Sequence, residues 1–239
     1  MSRVDDCLVG NFSNRTEQVH HEFWRAGHGM RCVDANYSVD DACAEVDAYR
    51  ATLASATTEK PMQEFLSVHP RMLLGEIAFG CRWVISQKNL ANNGVPDFLT
   101  ARVNSLGIPW TIVELKTPSV ENLFTTKNVP GRHLAAAIQQ IKDYRRWLYQ
   151  NHDMATRYPS QGGLGLIGIS DKADGVVYIG REDQRTPLDS ERLAQINWDE
   201  RIEVRSYDSL IREAQWRIDA YRKHGADSNS ECPYSSELG

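Results

Sequence analysis

Val95-Pro96-Asp97-Phe98-Leu99, followed by Trp110-Thr111-Ile112-Val113-Glu114-Leu115-Lys116, is the stretch whose reading decides the fold. Residues 95–103 are rich in apolar and β-branched types, Asn104-Ser105-Leu106-Gly107 carries turn chemistry, and Pro109 to Val113 suits a buried strand. The pattern predicts strands over 95–103 and 108–116. Side chains alternate along a strand, so Glu114 and Lys116 share one face and Leu115 takes the other. If the strands are antiparallel neighbours, Asp97 at the start of one lies beside Glu114 at the end of the next. Two facing carboxylates repel, and one pKa is held up unless a cation sits between them. Oxygen donors alone favour Mg²⁺ or Mn²⁺ over Zn²⁺. The expected ligands are Asp97, Glu114 and the backbone carbonyl of Leu115, with Lys116 as a point charge beside the attacking water. Such a constellation suits metal-assisted phosphodiester hydrolysis.

Working outward, Val39 to Ala56 shows helical spacing of Val39, Ala42, Cys43, Val46, Tyr49 and Leu53. Thr57-Thr58-Glu59-Lys60-Pro61 reads as a helix start with a Thr cap, and Met62, Phe65, Leu66 and His69 form the buried face up to Pro70. Cys81 to Ser86 is the first expected core strand, which makes a meander with the two central strands. Thr117 to Gly131 is a loop leaving the strand end, in which Glu121, Lys127 and Asn128 are candidates for substrate contact. Arg132 to Tyr149 is an amphipathic helix: Leu134, Ala137, Ile138, Ile141, Tyr144, Trp147 and Leu148 recur at three and four. Its polar side carries Arg132, Lys142, Arg145 and Arg146 against Asp143, a basic face suited to phosphates. Leu164 to Ile169 and Val176 to Gly180 are expected to pair as a hairpin, and Arg181 beyond them is a weaker candidate for substrate contact. A helix at 188–196, an edge strand at 202–205 and a closing helix at 207–221 complete the pattern.

These residues carry a resemblance. Pro96-Asp97 with Glu114-Leu115-Lys116 resembles the signature of the PD-(D/E)XK nuclease superfamily. More narrowly, Glu59-Lys60-Pro61-Met62-Gln63-Glu64-Phe65-Leu66-Ser67-Val68-His69-Pro70, Pro96-Asp97-Phe98, Glu114-Leu115-Lys116-Thr117-Pro118 and Ala137-Ile138-Gln139-Gln140-Ile141-Lys142-Asp143-Tyr144 resemble the Shedu nuclease domain, over about Glu59 to Arg222. The resemblance implies an α/β restriction-endonuclease-like core, a central mixed β-sheet flanked by helices. It implies cutting or nicking of DNA in defence against phage, with Asp97 and Glu114 on Mg²⁺ (or Mn²⁺), Lys116 assisting the water, and a homo-oligomer. Gln140 and Tyr144 match a Gln-x-x-x-Tyr arrangement that follows the catalytic strands in several families of the superfamily, so Gln140 is expected to support the site. A Glu from the helix before the core strands often reaches the metal, and Glu59 matches that place best, with Glu64 the other candidate. A restriction, repair or recombination nuclease, or a DNA-binding module with little catalysis, are the competing readings.

Composition limits the alternatives. The chain has 239 residues and a formal net charge of −5, so DNA contact must come from a local basic surface and not from overall charge. Five scattered cysteines without a CxxC pair suggest free thiols in a reducing cytoplasm. No apolar run approaches the length of a membrane span, and no P-loop or nucleophilic triad is present, so no nucleotide cofactor is expected. Residues 1–57 carry nine Asp/Glu against five Lys/Arg and read as a partly helical appendage for interaction or regulation. His20-His21 within it lacks partners at metal-ligand spacing, and Phe23-Trp24 is a candidate anchor. The nuclease domain is expected over 58–222, and the Ser/Gly/Asn-rich tail over 223–239 is expected to be disordered.

Overall fold

A computed structural model describes residues 31–32, 38–75, 82–91, 94–102, 107–120 and 122–224. The N-terminal histidine pair, Phe23-Trp24, Glu121 and nearly all of the tail lie outside the described residues. The strands are β1 (Arg31–Cys32), β2 (Arg82–Ser86), β3 (Phe98–Arg102), β4 (Trp110–Leu115), β5 (Asp174–Tyr178) and β6 (Ile202–Arg205). The helices are α1 (Val39–Ser55), α2 (Lys60–Val68), α3 (Arg132–Gln150), α4 (His152–Thr156), α5 (Pro187–Glu200) and α6 (Tyr207–His224). The six strands lie side by side in chain order. β1 to β4 pair antiparallel, whereas β4, β5 and β6 pair parallel. The result is a mixed sheet with helices on both faces.

Alternation along the strands explains the two layers. Leu99, Trp110, Ile112, Val177 and Ile202 pack with Leu134, Ala137, Ile141, Tyr144 and Leu148 of α3. Their sequence neighbours Phe98, Val113, Leu115 and Tyr178 pack the other way, with α1, α2 and α6. In that second cluster, Val46, Tyr49 and Leu53 of α1 join Met62 and Leu66 of α2 and Leu210 and Ile218 of α6. Among the described residues, no helix is long and apolar enough to cross a membrane.

Three expectations change. The segment Leu164–Ile169 is not a strand and makes no hairpin with β5; β5 pairs parallel with β4 instead. A parallel neighbour needs a crossover connection, and α3 and α4 supply it. Leu166 and Ile169 are fully buried, which explains the apolar pattern, but the segment folds back on α4, with Leu164 and Leu166 N–H groups donating to Met154 and Ala155 carbonyls. At the start of α2 the cap is Glu59, with no side-chain cap bond, and not a threonine. The two-residue strand β1 lies in a region without sequence periodicity, too short to produce any.

Candidate active site

The register of β3 and β4 places the acidic pair. Phe98 stands opposite Val113 and Leu99 opposite Ile112, so the next step in the ladder sets Asp97 opposite Glu114. Both point to the α3 face, by the same alternation that sends Phe98 and Val113 to the other. The N–H of Leu115 donates to Asp97 Oδ2 at 2.7 Å, which fixes the carboxylate against the strand end. N–H and C=O of one strand residue point to the same side, so the Leu115 carbonyl faces the Asp97 side of β4. Lys116 Nζ reaches back to Glu114 Oε2 at 3.2 Å. Asp97, Glu114, Leu115 and Lys116 are therefore gathered at one point, as their order along the strands requires.

The electrostatics show what this cluster lacks. Glu114 is 1% exposed, and its Oε1 is buried with no hydrogen-bond partner. Burial first, and then the Asp97 charge, push its carboxyl up to about 7, against the pull of Lys116. Asp97 is also raised, chiefly by burial, with the Leu115 N–H and Lys116 opposing. A buried carboxylate with an orphaned oxygen beside a second carboxylate is a site short of positive charge. The donor chemistry (two carboxylates and a backbone carbonyl) fits a hard divalent cation. Among the described residues, no group of three His, Cys, Asp or Glu side chains gathers, so an ion held here would need backbone and water for the rest of its coordination.

Helix α3 supplies the roof. Tyr144 is buried, and both Glu114 and Gln140 stand close enough to shift its hydroxyl, whose pKa burial raises first and Glu114 further. Gly94, just before the Pro96-Asp97 pair, lets the chain pass under that ring. Its φ is +109°, and an added Cβ would stand 3.0 Å from Tyr144 Cε1. Of the two candidate acids on α2, Glu59 is within electrostatic reach of Asp97. Glu64 instead pairs with Lys60 on an exposed surface at 3.7 Å. Thr117 Oγ1 donates to the Thr57 carbonyl at 2.9 Å, which ties the start of α2 to the end of β4.

A family model described as Shedu protein SduA, C-terminal, matches residues 56–211, well over half of the chain. The chain belongs to the Shedu family. No curated protein matches it. The match covers the whole acid cluster and begins just after α1, so α1 packs onto the Shedu segment from outside it.

The basic residues of the Shedu segment divide into two groups. Lys127 is exposed on the loop after β4, and Arg132 is exposed at the first turn of α3. Lys142 instead pairs with Glu200 at the end of α5. Arg145 donates to the carbonyls of Ala173, Glu200 and Arg201 at 2.6–2.9 Å, closing the C-terminus of α5. Thirteen residues along α3 separate Arg132 from Arg145, about 20 Å of helix, so the two groups sit at opposite ends. Arg146 is 64% exposed and holds Asp143 at 3.1 Å. Arg181 is paired with Asp208 at 2.9 Å. The basic residues read from α3 thus divide into exposed side chains and ones paired within the fold, which sequence spacing does not distinguish. Tyr207, Thr117 and Gly94 escape sequence reasoning because their roles lie in contacts across the fold.

Proposed function

We propose that the chain is a Mg²⁺- or Mn²⁺-dependent DNA endonuclease with a PD-(D/E)XK core. Its Shedu membership supports a place in defence against phage. The observation that carries the reading is the buried carboxyl of Glu114 set opposite Asp97 by the β3–β4 register, with Lys116 on the same face. Asp97, Glu114 and the Leu115 carbonyl would hold the ion. When bound, the ion supplies positive charge for the scissile phosphate and lowers the pKa of a bound water. Asp97 keeps its orientation through the Leu115 N–H. Glu114 gives its orphaned oxygen to the site and its other oxygen to Lys116. Lys116, largely shielded from solvent, offers a cation where negative charge builds on the phosphate. Gln140 and Tyr144 limit the directions open to Glu114. Lys127 and Arg132, exposed on the loop after β4 and at the start of α3, would hold the backbone of the DNA, with Arg146 as a peripheral contact; Lys142 and Arg145 contribute to the fold instead.

The test is cleavage of linear and supercoiled duplex DNA with Mg²⁺, Mn²⁺ or EDTA. Wild type should cut only with metal, and Lys116→Ala and Glu114→Ala should lose cutting while remaining folded. A wild type that binds DNA and cuts under no metal would give the lead to a binding module.

A further inference from the structure

The end of β4 is held by a chain of hydrogen bonds that the chemistry above does not use. Tyr207, the first residue of α6, is fully buried, and its hydroxyl donates to the Lys116 carbonyl at 2.6 Å. Its own peptide is fixed on both sides. The N–H donates to the Gly180 carbonyl at 3.2 Å, and the carbonyl accepts from the Tyr49 hydroxyl at 3.1 Å. Tyr49 is fully buried on α1, outside the residues matched to the family. Gly180 closes the loop by donating its N–H to the Thr117 carbonyl at 3.1 Å, one residue beyond Lys116.

We infer that Tyr207 is a positioning residue for Lys116, and that Tyr49 extends this hold to helix α1. The physical reason is local. Lys116 is the first residue past β4, so the ladder holds its N–H, which donates to the Tyr178 carbonyl at 2.9 Å, but not its carbonyl. The Tyr207 hydroxyl holds the carbonyl, and with both ends of the residue fixed, the direction of its side chain toward Glu114 is fixed as well. Burial, with Asp97 and Glu59 adding to it, keeps the Tyr207 hydroxyl protonated and therefore a standing donor. Without that donor the carbonyl is left unpaired or draws water, and the peptide gains freedom to turn. A lysine that must stand beside a reacting phosphate within a few tenths of an ångström is sensitive to such a turn.

The kinetic part of this inference rests on the nuclease reading; the structural part does not. The test therefore uses two readouts on the full chain: steady-state DNA cleavage with Mg²⁺ or Mn²⁺, and amide hydrogen exchange over residues 112–118 without metal. Tyr207→Phe should lower kcat about tenfold with KM within about twofold, and should speed exchange. Tyr49→Phe should move both in the same direction by about threefold, since it acts one bond further away. Val46→Ala, which loosens α1 without touching a hydroxyl, serves as the comparator. Below its Tm it should leave kcat at the wild-type value and speed exchange evenly over β2, β3 and β4 through the lost global stability, with no excess over residues 112–118. Wild-type kcat in Tyr207→Phe, with no excess of exchange over residues 112–118 relative to β2 and β3, would overturn the inference, as would an equal loss of kcat in Val46→Ala. If the wild type never cuts, the nuclease reading fails instead. Exchange alone then decides, and unchanged exchange in Tyr207→Phe overturns the hold on Lys116.

Discussion

Glu114 sets the electrostatics of the site, and its titration makes a prediction about stability. Its carboxyl is raised from 4.5 to about 7 in the folded chain. Between those values the folded state binds more protons than the unfolded state. The associated stability is therefore fully present below pH 4.5 and is lost as pH rises through 7. For a buried group the loss is of order 3 kcal/mol. In EDTA, Glu114→Gln should be more stable than wild type at pH 8, and the two should converge near pH 4.5; chemical denaturation across pH measures this. A wild type equally stable at both pH values relative to the variant would show that the carboxylate is already neutralised within the fold. At pH 8, Mg²⁺ should raise the Tm of wild type and leave that of Glu114→Gln unmoved. Equal shifts in both proteins would put the ion elsewhere.

At the scale of elements, α3 carries opposing duties at its two ends. Its first turn carries the exposed Arg132, Gln140 and Tyr144 stand by Glu114, and its last turns close α5 through Arg145. Removing Arg145 leaves carbonyls of Ala173, Glu200 and Arg201 without their charged donor. Arg145→Ala should destabilise by about 1–3 kcal/mol, with DNA affinity and kcat unchanged below its Tm. Lys127→Ala with Arg132→Ala should do the reverse, weakening DNA binding at unchanged Tm. Fluorescence anisotropy with labelled duplex, alongside thermal melts, separates the two. A large affinity loss in Arg145→Ala would restore the whole polar side of α3 as a DNA surface.

At the scale of the molecule, α1 shares its core with the strands that carry the site. Leu53 is 2% exposed and lies in the same cluster as Phe98, Val113 and Leu210. Leu53→Ala should cost about 2–5 kcal/mol and shift a single unfolding transition. Two transitions, with only the first shifted, would show that α1 unfolds independently. On the nuclease reading, a net charge of −5 leaves DNA binding to local cations. Two or three phosphate contacts give a slope of log affinity against log salt of about −2 to −3. A slope near −10 would require a basic surface larger than Lys127, Arg132 and Arg146 provide.

The sequence by itself determined the acid cluster and the elements around it. Asp97, Glu114, Leu115 and Lys116 are adjacent along two strands, and strand alternation with antiparallel pairing is enough to bring them together. The helices over 39–55 and 132–150 were equally legible, because an amphipathic period repeats over many residues. Tertiary structure decided what depends on partners far along the chain. Leu164 to Ile169 is apolar because it is buried, and burial alone does not make a strand. Lys142 and Arg145 look like Arg132 in sequence, and only the arrival of α5 and β6 at one end of α3 gives them carbonyls and a carboxylate to hold. Sequence favoured Glu59 over Glu64 only by resemblance, and the Thr57–Thr117 bond that sets the start of α2 against β4 is what brings Glu59 within reach of Asp97. The Tyr49–Tyr207–Lys116 chain spans residues 158 and 91 positions apart. No local pattern encodes bonds of that span, because each is made only when the helices close over the finished sheet.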